Sequence, residues 1–166
     1  MGSLSHLKSQ FFADNIKTDF TKEPEYGIVP LEMDHNMSDL VLAEAMKYGE
    51  EIKANTNLPT DARKVQAWRL NQKDSDTAEI IQHSVIELNA VYNYNLSGIQ
   101  DLQYLEYDSQ DQAKYDWHID ASSGLSSMRK ISISWVLNSG FKGGDLTFFG
   151  DGGEELIYNS TPNKLV

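Results

Sequence analysis

YLEYDSQDQAKYDWHID, residues 104–120, lies where the chain changes from helical to extended character, and its last six residues carry the densest chemistry. From Ile99 onward the apolar pattern passes from a period near 3.6 to a period of two. LQYLEY sets Gln103, Leu105 and Tyr107 on one face and Leu102, Tyr104 and Glu106 on the other, so both faces are expected to be covered. Side chains alternate along an extended segment, so His118 and Asp120, one residue apart, fall on the same side. An imidazole beside a carboxylate suits a divalent metal ion. Taken alone, an H-x-D triplet is more often a surface ion pair than a ligand set, and its context has to decide.

Downstream, ISISWVLN (residues 131–138) alternates sharply. Ile131, Ile133, Trp135 and Leu137 share one side, expected to lie under helices. Ser132, Ser134 and Val136 share the other, expected to face a polar interior such as a cofactor cavity in a β-barrel or jelly roll. Gly143-Gly144 predicts a tight turn before the strand Asp145–Phe149, with Asp145 fixing that turn. Asp151, Glu154 and Glu155 around Gly152-Gly153 lack the alternation of a calcium loop and read as a solvated hairpin tip.

Upstream, the pattern predicts two supporting helices. The first spans Ser38–Ala54, capped by Ser38 or Asp39 and striped by Val41, Ala45, Tyr48 and Ile52. The second spans Asp76–Tyr92, with Asp76 and Glu79 at capping-box spacing and a stripe of Ile81, Val85, Leu88 and Tyr92. VQAWRL (residues 65–70) reads as a strand carrying a buried Trp68, Phe11–Pro30 as short strands and turns, and Asn55–Asp61 as a loop.

The 166 residues suit one domain, with 1–98 supplying N-terminal strands and helices and 99–166 beginning a β core. The net charge of −11, with 14 scattered Lys and Arg, argues against a nucleic-acid partner, which needs clustered cations. The absence of cysteine removes disulfides, thiolate ligands and a Cys nucleophile, and suits a reducing cytoplasm. No apolar run approaches the roughly 20 residues of a membrane span, so no membrane partner is expected. Met1-Gly2 is not a myristoylation start, because His6 stands where that signal has Ser or Thr.

YLEYDSQDQAKYDWHID, MRKISISWVLN and FKGGDLTFF, in that order, resemble the catalytic core of the 2-oxoglutarate and Fe(II)-dependent oxygenases, and among them the prolyl 4-hydroxylase-type branch. The resemblance covers about Leu102–Val166. It implies a double-stranded β-helix, a jelly-roll relative that is mainly β with supporting helices. It implies His118 and Asp120 as iron ligands, Tyr107 as a hydrogen-bond partner of 2-oxoglutarate, and Val136, Leu146 and Ser134 around the co-substrate. Tyr115 and Arg129 match positions at the substrate entrance. The implied reaction hydroxylates an unactivated C–H bond, most closely that of a prolyl residue in a peptide or protein, or of a free amino acid. Fe(II) and 2-oxoglutarate are the implied cofactors, with ascorbate as a candidate reductant. A carboxylate at Asp120 favours hydroxylation over halogenation, since halogenating relatives carry a small residue there.

The family's third ligand is a His on a later strand, followed by an Arg or Lys that pairs with the far carboxylate of 2-oxoglutarate. Neither is present up to Val166 in matching context, so the last strands of the jelly roll are expected beyond it. His6, His35 and His83 do not qualify: one lies near the terminus, one precedes the first helix, and His83 falls opposite the apolar stripe of its helix. Arg129 and Lys130 read as solvated strand-end cations before substitutes for the missing one. Two alternatives stand beside the oxygenase reading: a catalytically inactive jelly-roll binding module without a third ligand, and a cupin-like metalloenzyme that does not use 2-oxoglutarate.

Overall fold

The computed structural model describes residues 31–33, 35–52, 63–73, 75–121, 123–150, 152–159, 161–162 and 164–166. The regions Phe11–Pro30 and Asn55–Asp61, together with His6 and Asp151, lie outside the described residues. In chain order the elements are β1 (Leu31–Glu32), α1 (His35–Tyr48), β2 (Glu50–Glu51), β3 (Arg63–Lys64), β4 (Gln66–Arg69), α2 (Asp76–Tyr92), β5 (Gln103–Glu106), β6 (Lys114–Tyr115), a 3-10 helix (Gly124–Met128), β7 (Trp135–Val136), β8 (Leu146–Phe149), β9 (Glu155–Tyr158) and β10 (Lys164–Leu165). All strand pairs among them are antiparallel, in sheets ordered β1-β10-β7 and β2-β4-β5 and in the ribbons β3-β6 and β8-β9. The helices run to 14 and 17 residues while no described strand exceeds four. The expectation of a mainly β chain is therefore corrected to mixed α/β with modest sheet content, and no barrel closes among the described residues.

The chain divides into two compact units, the first formed by residues 1–42, 84–93 and 133–166 and the second by 43–83 and 94–132. In the first unit β10 is the middle strand, with Leu165 paired to both Leu31 and Trp135. Leu165 is fully buried, and Ser134 and Val166 exchange two backbone hydrogen bonds of 2.8 Å that lengthen the β7–β10 ladder. The strand that carries Leu165 is thus paired on both sides. Ile131, Ile133, Trp135 and Leu137 are half-buried as their alternation predicts, but Ser132 and Ser134 are exposed instead of facing an interior. Only Trp135–Val136 of this stretch forms a strand. Gly143 and Gly144 both take positive φ, 78° and 73°, a conformation that demands glycine before β8. The β8–β9 hairpin closes through Gly150 N–H to the Glu154 carbonyl (2.8 Å) and leaves Glu154 and Glu155 exposed.

The second unit holds the end of α1. That helix begins at His35 and stops at Tyr48, short of the expected Ala54. Val41 and Ala45 are buried as expected, whereas Tyr48 is exposed and Ile52 lies beyond the helix. Gly49 is the physical stop. A Cβ there would sit 2.6 Å from the Ala45 carbonyl oxygen and 3.0 Å from Trp68 Cβ, so only glycine lets α1 run so close to β4. The chain then enters β2, opposite Trp68 and Arg69.

The bounds of α2 are those the periodicity predicts, but its cap is not Asp76. Ser75 Oγ accepts the Ala78 N–H (3.1 Å), which is the hydrogen bond an N-cap serine makes. Glu44 adds a tertiary cap, accepting the Thr77 N–H (2.9 Å) and the Thr77 hydroxyl (2.5 Å). Ile81 and Leu88 are buried and His83 is exposed, as the stripe predicts. No helix of the described residues is long and apolar enough to cross a membrane.

Candidate metal centre

The strand that carries the site is interrupted in an informative way. β4 pairs with β5 from Arg69–Gln103 to Gln66–Glu106, and the same ladder direction resumes with Lys64–Lys114 and Arg63–Tyr115. Val65 alone separates the two ladders on one side, while residues 107–113 separate them on the other. The surplus is looped out as a polar excursion. It is tied by Ala113 N–H to the Asp108 carbonyl (3.0 Å), by Gln112 N–H to the Ser109 carbonyl (3.1 Å), and by an Asx turn in which Asp108 Oδ1 accepts the Gln110 N–H (2.8 Å). Lys64 Nζ also donates to the Asp111 carbonyl. Such an excursion re-aims the chain where pairing resumes, and the residues that follow β6 are those of the H-x-D triplet.

His118 and Asp120 sit outside regular strand, yet extended spacing still brings them together: His118 Nε2 lies 3.2 Å from Asp120 Oδ1. Their side chains are 39% and 45% exposed, open enough for an incoming ligand. The other ring nitrogen of His118 is 2.8 Å from the Asp116 carbonyl oxygen. A carbonyl only accepts, so Nδ1 carries the proton. In the neutral imidazole Nε2 is then the lone-pair nitrogen, and it faces a carboxylate oxygen. Two lone-pair atoms at that distance repel unless a cation lies between them, either a proton that makes an imidazolium or a metal ion. Ligands on adjacent corners of an octahedron, with metal bonds of about 2.0–2.2 Å, stand about 3.0 Å apart. The observed 3.2 Å fits such a pair. Donation of the second ring N–H to a backbone carbonyl is the usual way a metal-binding histidine is oriented.

Two further residues contact the pair. The Tyr115 ring stacks on the imidazole with centroids 3.7 Å apart and planes inclined by 12°. This gives Tyr115 a contact with the candidate ligand itself, beside the entrance role expected of it. Arg129, expected at the same entrance, donates from Nη1 to the Asp120 carbonyl (3.2 Å) and from Nε to Gln100 Oε1 (2.8 Å). Asp116 keeps its carboxylate occupied locally: Oδ1 accepts the Trp117 N–H (2.9 Å), and Lys114 Nζ lies 3.4 Å from Oδ2. That backbone bond and, behind it, the lysine charge hold the Asp116 carboxyl below the usual carboxylate range.

The structure thus brings together His118, Asp120, Tyr115 and Arg129. Tyr107 belongs to the same unit, exposed by half at the start of the excursion. Val136, Leu146 and Ser134 belong to the other unit: Val136 pairs with Lys164, Leu146 pairs with Tyr158, and both are half-buried. Among the described residues no group of three His or carboxylate side chains could hold a metal ion. The sequence reading missed Asp116 and Gln100. Asp116 acts through its main-chain carbonyl, which no residue type advertises, and Gln100 meets Arg129 across 29 positions without any local pattern. No family model matches the chain, and neither does any curated protein or solved structure.

Proposed function

We propose that this chain is the core of an Fe(II) and 2-oxoglutarate-dependent oxygenase that hydroxylates a C–H bond, of a prolyl residue in a peptide or protein. The observation that carries the reading is the geometry of the pair: His118 Nε2 lies 3.2 Å from Asp120 Oδ1 while Nδ1 is held 2.8 Å from the Asp116 carbonyl oxygen. The order of the motifs around it resembles that of this family. Antiparallel sheets with two helices are compatible with the opening strands of a double-stranded β-helix. The absence of cysteine and of clustered cations favours a cytoplasmic enzyme without nucleic-acid partners.

A divalent iron held here supplies oxygen activation and a seat for the keto acid end of 2-oxoglutarate. The protein's own part is positional. His118 would offer Nε2, since its Nδ1–H is directed at the Asp116 carbonyl. Asp120 offers a negative oxygen that balances metal charge. The Tyr115 ring covers one face of the imidazole and keeps water from it. On the family's pattern Tyr107 would donate a hydroxyl hydrogen bond to the co-substrate, and Val136, Leu146 and Ser134, which belong to the other unit, are the further positions the resemblance assigns to it.

The reading is tested by incubating the chain with Fe(II), ascorbate, 2-oxoglutarate and proline-containing peptides under air. Succinate formation coupled to the gain of one oxygen atom by the peptide is expected, and loss of both in His118→Ala. Metal-dependent turnover without succinate would instead point to a cupin-like enzyme. A specific observation favours a second reading: the described residues offer two ligands where the family uses three. A non-catalytic module of the same fold accounts for that, and is the conclusion if 2-oxoglutarate and Mn(II) bind and no succinate appears.

A further inference from the structure

We infer that Arg129, aimed by Gln100, is a positioning residue for the Asp120 ligand, an inference that rests on the metal role proposed for His118 and Asp120. Residues 116–121 belong to no strand, so no ladder fixes the main chain that carries the carboxylate. Among the described residues, the guanidinium of Arg129 does so, through Nη1 to the Asp120 carbonyl (3.2 Å). Arg129 is itself fixed at both ends. Its backbone N–H donates to the Ser126 carbonyl (3.1 Å) at the end of the 3-10 helix, and Nε donates to Gln100 Oε1 (2.8 Å). That helix is locked in turn by Ser126 Oγ, which accepts the Ser123 N–H (3.3 Å) and donates to the Ser123 carbonyl (2.6 Å).

A guanidinium is planar and rigid, so seating Nε on Gln100 determines where Nη1 meets Asp120. The segments at Gln100, Asp120 and Arg129 are thereby held as a three-point brace, and the carboxylate is kept 3.2 Å from His118 Nε2 before any metal arrives. Lysine presents its donors from a single nitrogen and lacks the rigid fork that spaces the two contacts. Both residues lie outside the ligand set, so their effect on metal affinity passes through Asp120.

Mn(II) affinity, read from the EPR signal of free Mn(II), tests this on the 166-residue chain. Arg129→Ala is expected to weaken binding about 10- to 100-fold, the range for lost partners of metal ligands. Arg129→Lys and Gln100→Ala each lose several-fold, and Gln100→Ala adds little once Arg129 is already changed, because the two act as one unit. Metal-free thermal unfolding of Gln100→Ala stays at the wild-type midpoint, which separates positioning from a general loss of structure. If Arg129→Ala fails to fold, the lysine and Gln100 variants carry the test. Wild-type affinity in both of those overturns the inference while leaving the metal reading intact. A wild-type chain that binds no Mn(II) removes the metal reading and the inference with it.

Discussion

At the scale of single residues, Asp116 meets His118 through its carbonyl and not its carboxylate. The H-x-D pair was legible in the sequence because alternation along extended chain is a property of the backbone. Its tautomer and its brace were not, because they depend on a carbonyl and on a contact across 29 positions. Two predictions belong here. Tyr115→Phe keeps the stacked ring and should bind Mn(II) like wild type. Tyr115→Ala should lose roughly tenfold, as expected for a group that orients a ligand; equal affinity in both variants would show that the stack does not steady the imidazole. The second concerns Tyr104, whose partial burial and hydrogen bond to Glu106 (2.8 Å) push its pKa up to about 12. The folded value lies above the ordinary 10.0, so the stabilisation it reports is whole below pH 10 and is lost as pH rises toward 12. An absorbance titration should lose a tyrosine phase near pH 12 in Tyr104→Phe; an unchanged curve would show that Tyr104 does not titrate there.

At the scale of elements, α2 was readable end to end because its stripe is continuous and its flanks are polar. α1 was misread at its C-terminus because Tyr48 and Ile52 continue a helical stripe on paper. What ends the helix is a tertiary approach, Gly49 passing Trp68 Cβ, which a one-dimensional pattern does not contain. Gly49→Ala should therefore destabilise the fold by about 1–3 kcal/mol, the range for overpacking, since the nearest obstacle is a backbone carbonyl that cannot swing aside. Chemical denaturation measures it. A neutral or stabilising result would mean that α1 and β4 separate easily. The strands were harder to read than the helices, because their partners are set by long-range register: the 107–113 excursion interrupts one ladder, and β10 enters between β1 and β7.

For the whole molecule, the resemblance predicted a mainly β jelly roll, and the described residues give a mixed α/β arrangement in two units. Composition and charge bound the class of protein without fixing strand order, which is why the sheet topology was the least legible feature. A metal that binds only the folded chain must raise its stability, by about 2.7 kcal/mol at a hundredfold excess over Kd. For a chain of this size that corresponds to a rise in unfolding temperature of several degrees, on the order of 5 °C. His118→Ala and Asp120→Ala should abolish the rise while Tyr107→Phe preserves it; a rise that survives in His118→Ala would place the metal elsewhere. The metal role proposed for His118 and Asp120 fixes the position of one ion. Anomalous diffraction from crystals of the chain grown with Mn(II) should show a single strong peak about 2.0–2.2 Å from both His118 Nε2 and Asp120 Oδ1. A peak at any other place, or none beside this pair, would contradict it.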